Sequence, residues 1–198
     1  MKYKLTTKSK IVSGKTLFRI KAKIGFGTVL KDEYGGWVEK EDNLSQNGDA
    51  WVSGNAWVSG NARVSGDAWV YGGARVSGDA WVYGDAWVYG NAWVYGGARV
   101  YGDAWVSGNA WVSGNARVYG GARVYGNAWV KKTVFNIIGE LEFSFTGYTK
   151  FVQIGCMLHT IAEWKKIFKN ETYIELCSNK KSYLAIQRAF EFYCSLKS

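Results

Sequence analysis

Large and small side chains recur in a fixed order every six residues between Asp49 and Val130. Valine recurs at fourteen positions spaced six apart, from Val52 to Val130. Each repeat begins with Ala, followed by a large residue and then Val. The fourth position is Ser or Tyr, the fifth is Gly, and the sixth is Asn, Asp or Gly. In an extended chain, neighbouring side chains point to opposite faces, so Ala and Val share one face and the large residue lies on the other. The three residues after Val favour a turn.

Three such strands and corners close a triangular coil of eighteen residues, in which residues eighteen apart stack on each other. Stacked coils bury Ala and Val and depend on their neighbours, as in a β-solenoid. A helix is excluded, because a Gly in every repeat would cost about 1 kcal/mol each. The strict Val register and the abundant aromatic residues also argue against a disordered low-complexity tract.

The repeat resembles the hexapeptide-repeat family of left-handed parallel β-helices, with Val52 at the aliphatic position and Ala56 at the small one. The resemblance implies a mainly β fold, namely a left-handed parallel β-helix, to which the chain adds an N-terminal β cap and a C-terminal αβ segment. Proteins of this family are usually trimers, and many are acyltransferases.

The N-terminal residues 1–46 predict a β cap and irregular first coils, ahead of the solenoid at 47–131. A hairpin is expected around Val12-Ser13-Gly14-Lys15. The irregular coils are expected from apolar residues spaced 6, 8, 6 and 8, which are Ile24, Leu30, Val38, Leu44 and Val52. Such a cap is needed because an open coil end exposes unpaired strand edges.

The C-terminal residues 132–198 lose the period and predict strands at 133–138, 141–146 and 150–154. Thr160 and Glu163 form a capping-box pattern for a helix over about 161–169. A second helix is predicted from about 180 to 196, with Tyr183, Ile186, Phe190 and Tyr193 on one side.

Two end segments, GGWVEKEDNLSQNGDAWV at 35–52 and IGCMLHTIAEW at 154–164, resemble a group of phage and prophage proteins that are often labelled acyltransferases. This second resemblance implies a viral accessory product that works in the host cytoplasm. It supplies no catalytic residues.

The net charge of +9 is confined to the ends, because residues 1–46 carry +5, residues 47–130 carry zero and residues 131–198 carry +4. Basic ends fit either an anionic partner or simple solubility. No apolar stretch is long enough for a membrane span, and the basic start lacks a signal-peptide core, so a cytoplasmic protein without membrane partners is expected. Three Cys, an odd number, favour reduced thiols.

The outward side chains form three columns when residues eighteen apart are stacked. The first column is Trp51, Trp69, Trp87, Trp105 and Arg123; the second is Trp57, Arg75, Trp93, Trp111 and Trp129; the third is Arg63, Trp81, Arg99 and Arg117. The Trp ladders stabilise the coils through ring stacking, but they would also leave a large apolar area exposed. We therefore expect at least one ladder to be covered, by the C-terminal segment, another subunit or a partner. A homo-oligomer is favoured, with a trimer first, and its expected interface residues are Trp51, Trp69, Trp87, Trp105, Trp57, Trp93, Trp111 and Trp129.

The third column predicts a ligand site, because guanidinium groups bind phosphate and aromatic rings stack on bases. Its expected members are Arg63, Trp81, Arg99, Arg117 and the corner residues Tyr83, Tyr101 and Tyr119. The next corner carries an Asp ladder, Asp49, Asp67, Asp85 and Asp103, which serves either as turn caps that pair with Arg or as a ligand site.

Catalytic chemistry has weak support, because the solenoid between 49 and 130 contains no His, Lys, Thr, Glu or Cys. Cys156 and His159 are a possible nucleophile pair, and together with Cys177 and Cys194 they are a possible zinc set. No catalytic residue and no cofactor is predicted.

The sequence therefore favours a non-enzymatic phage accessory protein, an anti-defence factor that captures a signalling nucleotide or docks on a host protein. Acyl transfer from acetyl-coenzyme A and a role as a scaffold or virion component are the alternatives.

Overall fold

The structure, a computed structural model, describes residues 1–131, 134–137, 145–147, 151–154 and 157–169, together with 184, 186, 187, 190, 191 and 194. The N-terminal elements are β1 (Tyr3–Val12), β2 (Lys15–Ala22), β3 (Tyr34–Val38) and a 3-10 helix (Glu41–Asn43). The C-terminal elements are β18 (Val134–Ile137), β19 (Phe145–Gly147), β20 (Phe151–Ile154), β21 (Met157–Thr160) and α1 (Ile161–Lys169).

Between these ends, fourteen short strands build a parallel β-solenoid, which confirms the predicted repeat fold. They are β4 (Trp51–Val52), β5 (Trp57–Val58), β6 (Arg63–Val64), β7 (Trp69–Val70), β8 (Arg75–Val76), β9 (Trp81–Val82), β10 (Trp87–Val88), β11 (Trp93–Val94), β12 (Arg99–Val100), β13 (Trp105–Val106), β14 (Trp111–Val112), β15 (Arg117–Gly120), β16 (Arg123–Val124) and β17 (Trp129–Val130). The left-handed sense of the coil stays a prediction.

The strands form three sheets, which we call walls, and within the solenoid each wall pairs residues eighteen apart. The first wall has the order β16-β13-β10-β7-β4, the second β1-β2-β3-β5-β8-β11-β14-β17, and the third β21-β20-β19-β18-β15-β12-β9-β6. Each coil donates backbone N–H groups to the carbonyls of the next, as in Trp51 N to Ala68 O at 3.0 Å. The predicted outward columns are confirmed by this register, for example Trp69 opposite Trp87.

The solenoid interior consists of the Ala and Val of each repeat, and from Ala50 to Val118 each of them is fully buried. The corners depend on Gly in the left-handed region. Gly84, at φ 69°, is one case, and a Cβ there would lie 3.0 Å from the backbone N of Gly102 in the next coil. The small interior and the glycine corners are thus two consequences of close coil stacking.

The N-terminal cap closes the open end of the solenoid, where the carbonyls of the first coil lack a preceding coil. Side-chain donors satisfy four of them: Lys2 Nζ donates to Gly48 O (3.0 Å) and Ala50 O (2.8 Å), and Asn43 Nδ2 donates to Gly60 O (3.0 Å) and Ala62 O (2.8 Å). Backbone donors of the cap satisfy three more, at Ala56, Val58 and Val64. The predicted cap therefore supplies hydrogen-bond donors to the first coil as well as covering it with hydrophobic side chains.

The expected hairpin is confirmed by the antiparallel pairing of β1 and β2. The expected coil positions are correct for Val38 and Leu44, which are buried in the solenoid core. They are wrong for Ile24 and Leu30, which are 52% and 73% exposed. Both lie in the connection between the antiparallel strands β2 and β3, which consists of turns and an isolated bridge between Phe26 and Val29 rather than a coil.

The C-terminal strands extend the third wall, since β18 pairs in parallel with β15 and then starts an antiparallel meander to β21. The predicted helix over 161–169 is confirmed as α1, and its capping box forms, with Glu163 N donating to Thr160 Oγ1 at 3.2 Å. The strand β21 was not predicted. In the predicted second helix the described residues are helical, with Ile186 and Phe190 buried, whereas Tyr183 and Tyr193 lie outside the described residues.

Candidate anion-binding wall

The predicted ligand residues of the third wall come together in one outward column. Strand pairing places Arg63, Trp81, Arg99 and Arg117 in register on β6, β9, β12 and β15. The guanidinium carbons of Arg63 and Arg99 lie 5.8 and 5.4 Å from the Trp81 ring centroid. The indole is thus flanked by two cations, one from the coil before and one from the coil after.

The arginines of this column are exposed and have no carboxylate partner among the described residues. The side chains of Arg63, Arg99 and Arg117 all reach into solvent. The salt bridges in the described part of the chain are Lys15–Glu39 and Lys21–Asp32, both in the N-terminal cap. The positive charge of this wall therefore faces solvent.

The neighbouring Asp ladder acts on the turns rather than on the arginines. Asp67 Oδ1 accepts a hydrogen bond from the backbone N of Asp49 at 2.9 Å. Among the residues that the structure describes, no Asp of this ladder forms an ion pair with an Arg. The expectation that Asp caps turns is supported at Asp67, and the expectation that Asp pairs with Arg is wrong for the described residues.

Tyr83, Tyr101 and Tyr119 form a stacked ladder along the corner beside the arginines. The ring centroids are 4.9 Å apart between Tyr83 and Tyr101, and 5.2 Å apart between Tyr101 and Tyr119. Burial, together with the two flanking Tyr, raises the pKa of the Tyr101 hydroxyl, and the positive charges of Arg117 and Arg99 oppose this shift. The Tyr101 hydroxyl therefore stays neutral at physiological pH and lies close enough to Arg99 and Arg117 for their charges to act on it.

A cleft of about 430 Å³ lies at the N-terminal end of this wall. It is lined by Glu41, Asp42, Leu44, Ser45, Gln46, Arg63, Val64, Ser65 and Trp81. Sequence reasoning missed the cap residues of the cleft because they precede Arg63 by about twenty positions and belong to no repeat.

The first wall carries an aromatic column with little charge. Trp87 stacks on Trp105 with centroids 5.4 Å apart, and Tyr71 and Tyr89 contact Trp87 and Trp105 edge to face. Trp51 is fully buried, because Tyr3 and Phe26 of the N-terminal cap pack on its ring at 6.3 and 5.4 Å. The prediction that Trp51 faces another subunit is therefore wrong, since the chain's own cap covers it.

The second wall is longer than predicted, because β3 adds Trp37 and the hairpin adds Lys10 and Arg19. Its predicted members are in register, with Trp57, Arg75, Trp93, Trp111 and Trp129 on successive coils. Hydrophobic periodicity could not find the hairpin cations, since they reach this wall through antiparallel pairing.

The residues considered for catalysis or zinc are only partly described. Cys156 and Cys177 lie outside the described residues, and His159 is placed on β21. Cys194 is half-buried. Within the described part of the chain no three His, Cys, Asp or Glu side chains cluster as metal ligands, and the four-residue zinc set stays a prediction.

No described helix is long and apolar enough to cross a membrane.

A comparison with known families finds a match inside the solenoid. The segments 56–72, 74–90, 98–114 and 110–126 match the family model described as YdcK Beta solenoid repeat. No curated protein matches the chain. The matched segments lie inside the solenoid, and together with the three walls they identify a repeat β-helix protein.

Proposed function

We propose that this repeat β-solenoid protein is a non-enzymatic binding protein whose third wall captures an anionic ligand with a flat ring, such as a signalling nucleotide. The observation that carries the proposal is the pair of exposed guanidinium groups of Arg63 and Arg99 on either side of Trp81. Guanidinium groups bind phosphate through paired hydrogen bonds, and an indole between them adds a surface for ring contact.

The cleft at the N-terminal end of the wall supports a small ligand rather than a protein partner. Its volume of about 430 Å³ lies in the range of ordinary small-molecule sites. Arg63 and Trp81 line both the cleft and the column, so a nucleotide could place its phosphate on the arginines and its ring beside Trp81. The guanidinium groups form no salt bridge with a carboxylate of the described residues, so they need not move in order to bind phosphate.

A titration of the purified protein with a panel of mono- and cyclic dinucleotides tests this proposal. Replacing Arg63, Arg99 and Arg117 with Ala is expected to weaken binding at least a hundredfold, since each lost charged hydrogen bond is worth about 1.5–3 kcal/mol. The matched control is Arg123→Ala on the first wall, where the same stacked chemistry (4.8 Å over Trp105) faces a different direction. Equal affinity of the wild type and the triple variant would reject the third wall as the site.

The proposed setting is a phage or prophage accessory function in the host cytoplasm, where the protein removes a nucleotide signal of host defence. The end segments at 35–52 and 154–164, which resemble phage and prophage proteins, support this setting. A phage that lacks the gene should plate poorly on a host with nucleotide-signalled defence and normally on a host without it. Equal plating on both hosts would contradict the anti-defence role.

Self-association through the first wall is part of the proposal, with a trimer favoured. Trp87 is 39% exposed, and the column around it presents a rigid aromatic strip that a monomer would leave in water. Light scattering at micromolar concentration should report about three times the chain mass of 22.1 kDa, and Trp87→Ser should lower it. A monomeric wild type would remove this part of the proposal.

A further inference from the structure

The second wall combines an indole ladder with four cations along one straight column. The indoles belong to Trp37, Trp57, Trp93, Trp111 and Trp129, and the cations belong to Lys10, Arg19, Arg75 and Lys131. From the level of Trp37 to that of Trp129 the column crosses five coil steps, which is about 24 Å at ~4.8 Å each. Sequence reasoning assigned Trp57, Trp93, Trp111 and Trp129 to an oligomer interface and did not identify Trp37, Lys10, Arg19 or Lys131 as part of the column.

Each cation lies against an indole rather than against a carboxylate. Lys10 Nζ is 4.3 Å from the Trp37 centroid, the Arg75 guanidinium is 4.4 Å from that of Trp93, and Lys131 Nζ is 4.2 Å from that of Trp129. Neither described salt bridge of the chain includes any of the four. The positive charge is thus held in a fixed row by ring contacts and remains without an acidic partner in the described structure.

The pKa of Lys10 reflects this local field. Burial lowers it, and the positive charges of Arg19 and Arg75 lower it further. Like charges that repel one another in a fixed row favour an anion that can neutralise them together. The row therefore fits a polyanion better than a single small anion.

The indoles add an electropositive surface and two exposed rings, those of Trp111 and Trp129. Trp93 and Trp111 are parallel at 5.0 Å, so they cover each other's faces and leave their ring edges, which carry partial positive charge, outward. Trp129 is turned by 71° from Trp111 and is 58% exposed. The column thus combines a row of positive charges with an aromatic ring at its C-terminal end, on which a base can stack. Proteins that bind single-stranded nucleic acid use this combination.

We propose that the second wall binds a single-stranded nucleic acid, whose phosphates follow the row Lys10, Arg19, Arg75 and Lys131 and whose bases reach Trp129. A duplex fits the row less well, because its phosphates wind around the axis once per ~34 Å, whereas the row is straight and about 24 Å long. The proposal uses a different wall from the nucleotide site and does not depend on it.

Fluorescence anisotropy with a labelled twelve-residue oligothymidylate tests this binding. Four phosphate contacts predict that the logarithm of the association constant falls with the logarithm of salt concentration with a slope of about −3. Arg75→Gln and Lys131→Gln are each expected to weaken binding about fivefold to tenfold at low salt and to reduce the slope by about 0.7. Lys131 is exposed at the end of the last coil, so its replacement leaves the solenoid core intact.

The matched control is Arg123→Gln, which removes a stacked arginine from the first wall and should leave the oligothymidylate affinity unchanged. The proposal would be overturned by no binding at 50 mM salt, by an equal loss in the Arg123→Gln variant, or by tighter binding of a duplex of the same length. A dimer in light scattering that Arg75→Gln dissociates would instead assign the second wall to a second copy of the chain, and would also overturn it.

Discussion

The inward and outward positions of one coil obey different rules, although they alternate along the same two-residue strands. Inside, Ala and Val recur in every repeat, and each is fully buried from Ala50 to Val118. Outside, Trp and Arg replace each other, as at Trp57, Arg75 and Trp93 of the second wall, without changing the strand register. The interior thus determines the fold and its stability, and the walls are free to carry recognition.

The largest expected effect comes from placing a charge in the interior. Val88→Asp in the middle of the first wall should destabilise the protein by more than about 4 kcal/mol, because a buried carboxylate has no partner there. Trp87→Ser, one position earlier and pointing outward, should cost about 1–2 kcal/mol from lost ring stacking. Chemical denaturation measures both, and similar losses would mean that the inward and outward positions do not differ as described.

The next effect concerns the end of the interior, where Asn43 satisfies the carbonyls of Gly60 and Ala62. Asn43 is fully buried and also accepts hydrogen bonds from the backbone N of Glu39 and Lys40. Asn43→Ala should cost about 3 kcal/mol, since buried backbone groups lose their partners. Asn91→Ala, an exposed ladder position with one weak bond of 3.4 Å, is the control and should change stability by less than about 0.5 kcal/mol.

A smaller, pH-dependent effect comes from Lys2, the other side-chain donor of the cap. Burial lowers its pKa from 10.5 to about 8, although the negative charges of Asp49 and Asp67 act to raise it. Between these two values the unfolded chain binds more protons than the folded one, so the stability contributed by this group rises with pH. Burial also raises the pKa of the Tyr3 hydroxyl, which lowers stability as pH rises, but only above the ordinary tyrosine value of about 10.

The free energy of unfolding should therefore rise by about 1–2 kcal/mol from pH 8 to pH 10 in the wild type. In Lys2→Met this rise should disappear, while the buried carbonyl of Ala50 and the carbonyl of Gly48 lose their donor at every pH. Urea titrations at three pH values measure both effects. A wild-type stability that falls over this window would contradict the buried position of Lys2.

The contrast between repeat and cap also explains what the sequence could predict. The interior and the three columns follow from an eighteen-residue register that every coil repeats, so a count of positions was sufficient. Lys2 reaches Ala50 across forty-eight positions, and no period records that contact. Ile24 and Leu30 matched the spacing of six by coincidence, and only the antiparallel pairing of the cap reveals that they lie outside the coil.

The composition of each wall was predictable from the sequence, but which of its side chains are covered by other parts of the chain was not. The outward direction of Trp51 follows from the repeat, whereas its burial depends on Phe26 and Tyr3, which belong to the cap. In the same way, Lys10 and Arg19 join the second wall because β1 and β2 extend its sheet. Contacts of this kind depend on how unlike segments meet, and a single sequence carries no direct signal for them.

One denaturant titration, made on the wild type and on the variant with Ala at positions 63, 99 and 117, tests the separation of fold and recognition most directly. Without nucleotide the two proteins should unfold within about 1 kcal/mol of each other, because exposed cation–π contacts contribute little. With the tightest-binding nucleotide of the panel at a hundred times its dissociation constant, the wild type should gain about 2.7 kcal/mol and the variant at most about 0.4 kcal/mol. A variant that is several kcal/mol less stable without nucleotide, or one that gains as much as the wild type, would contradict the account.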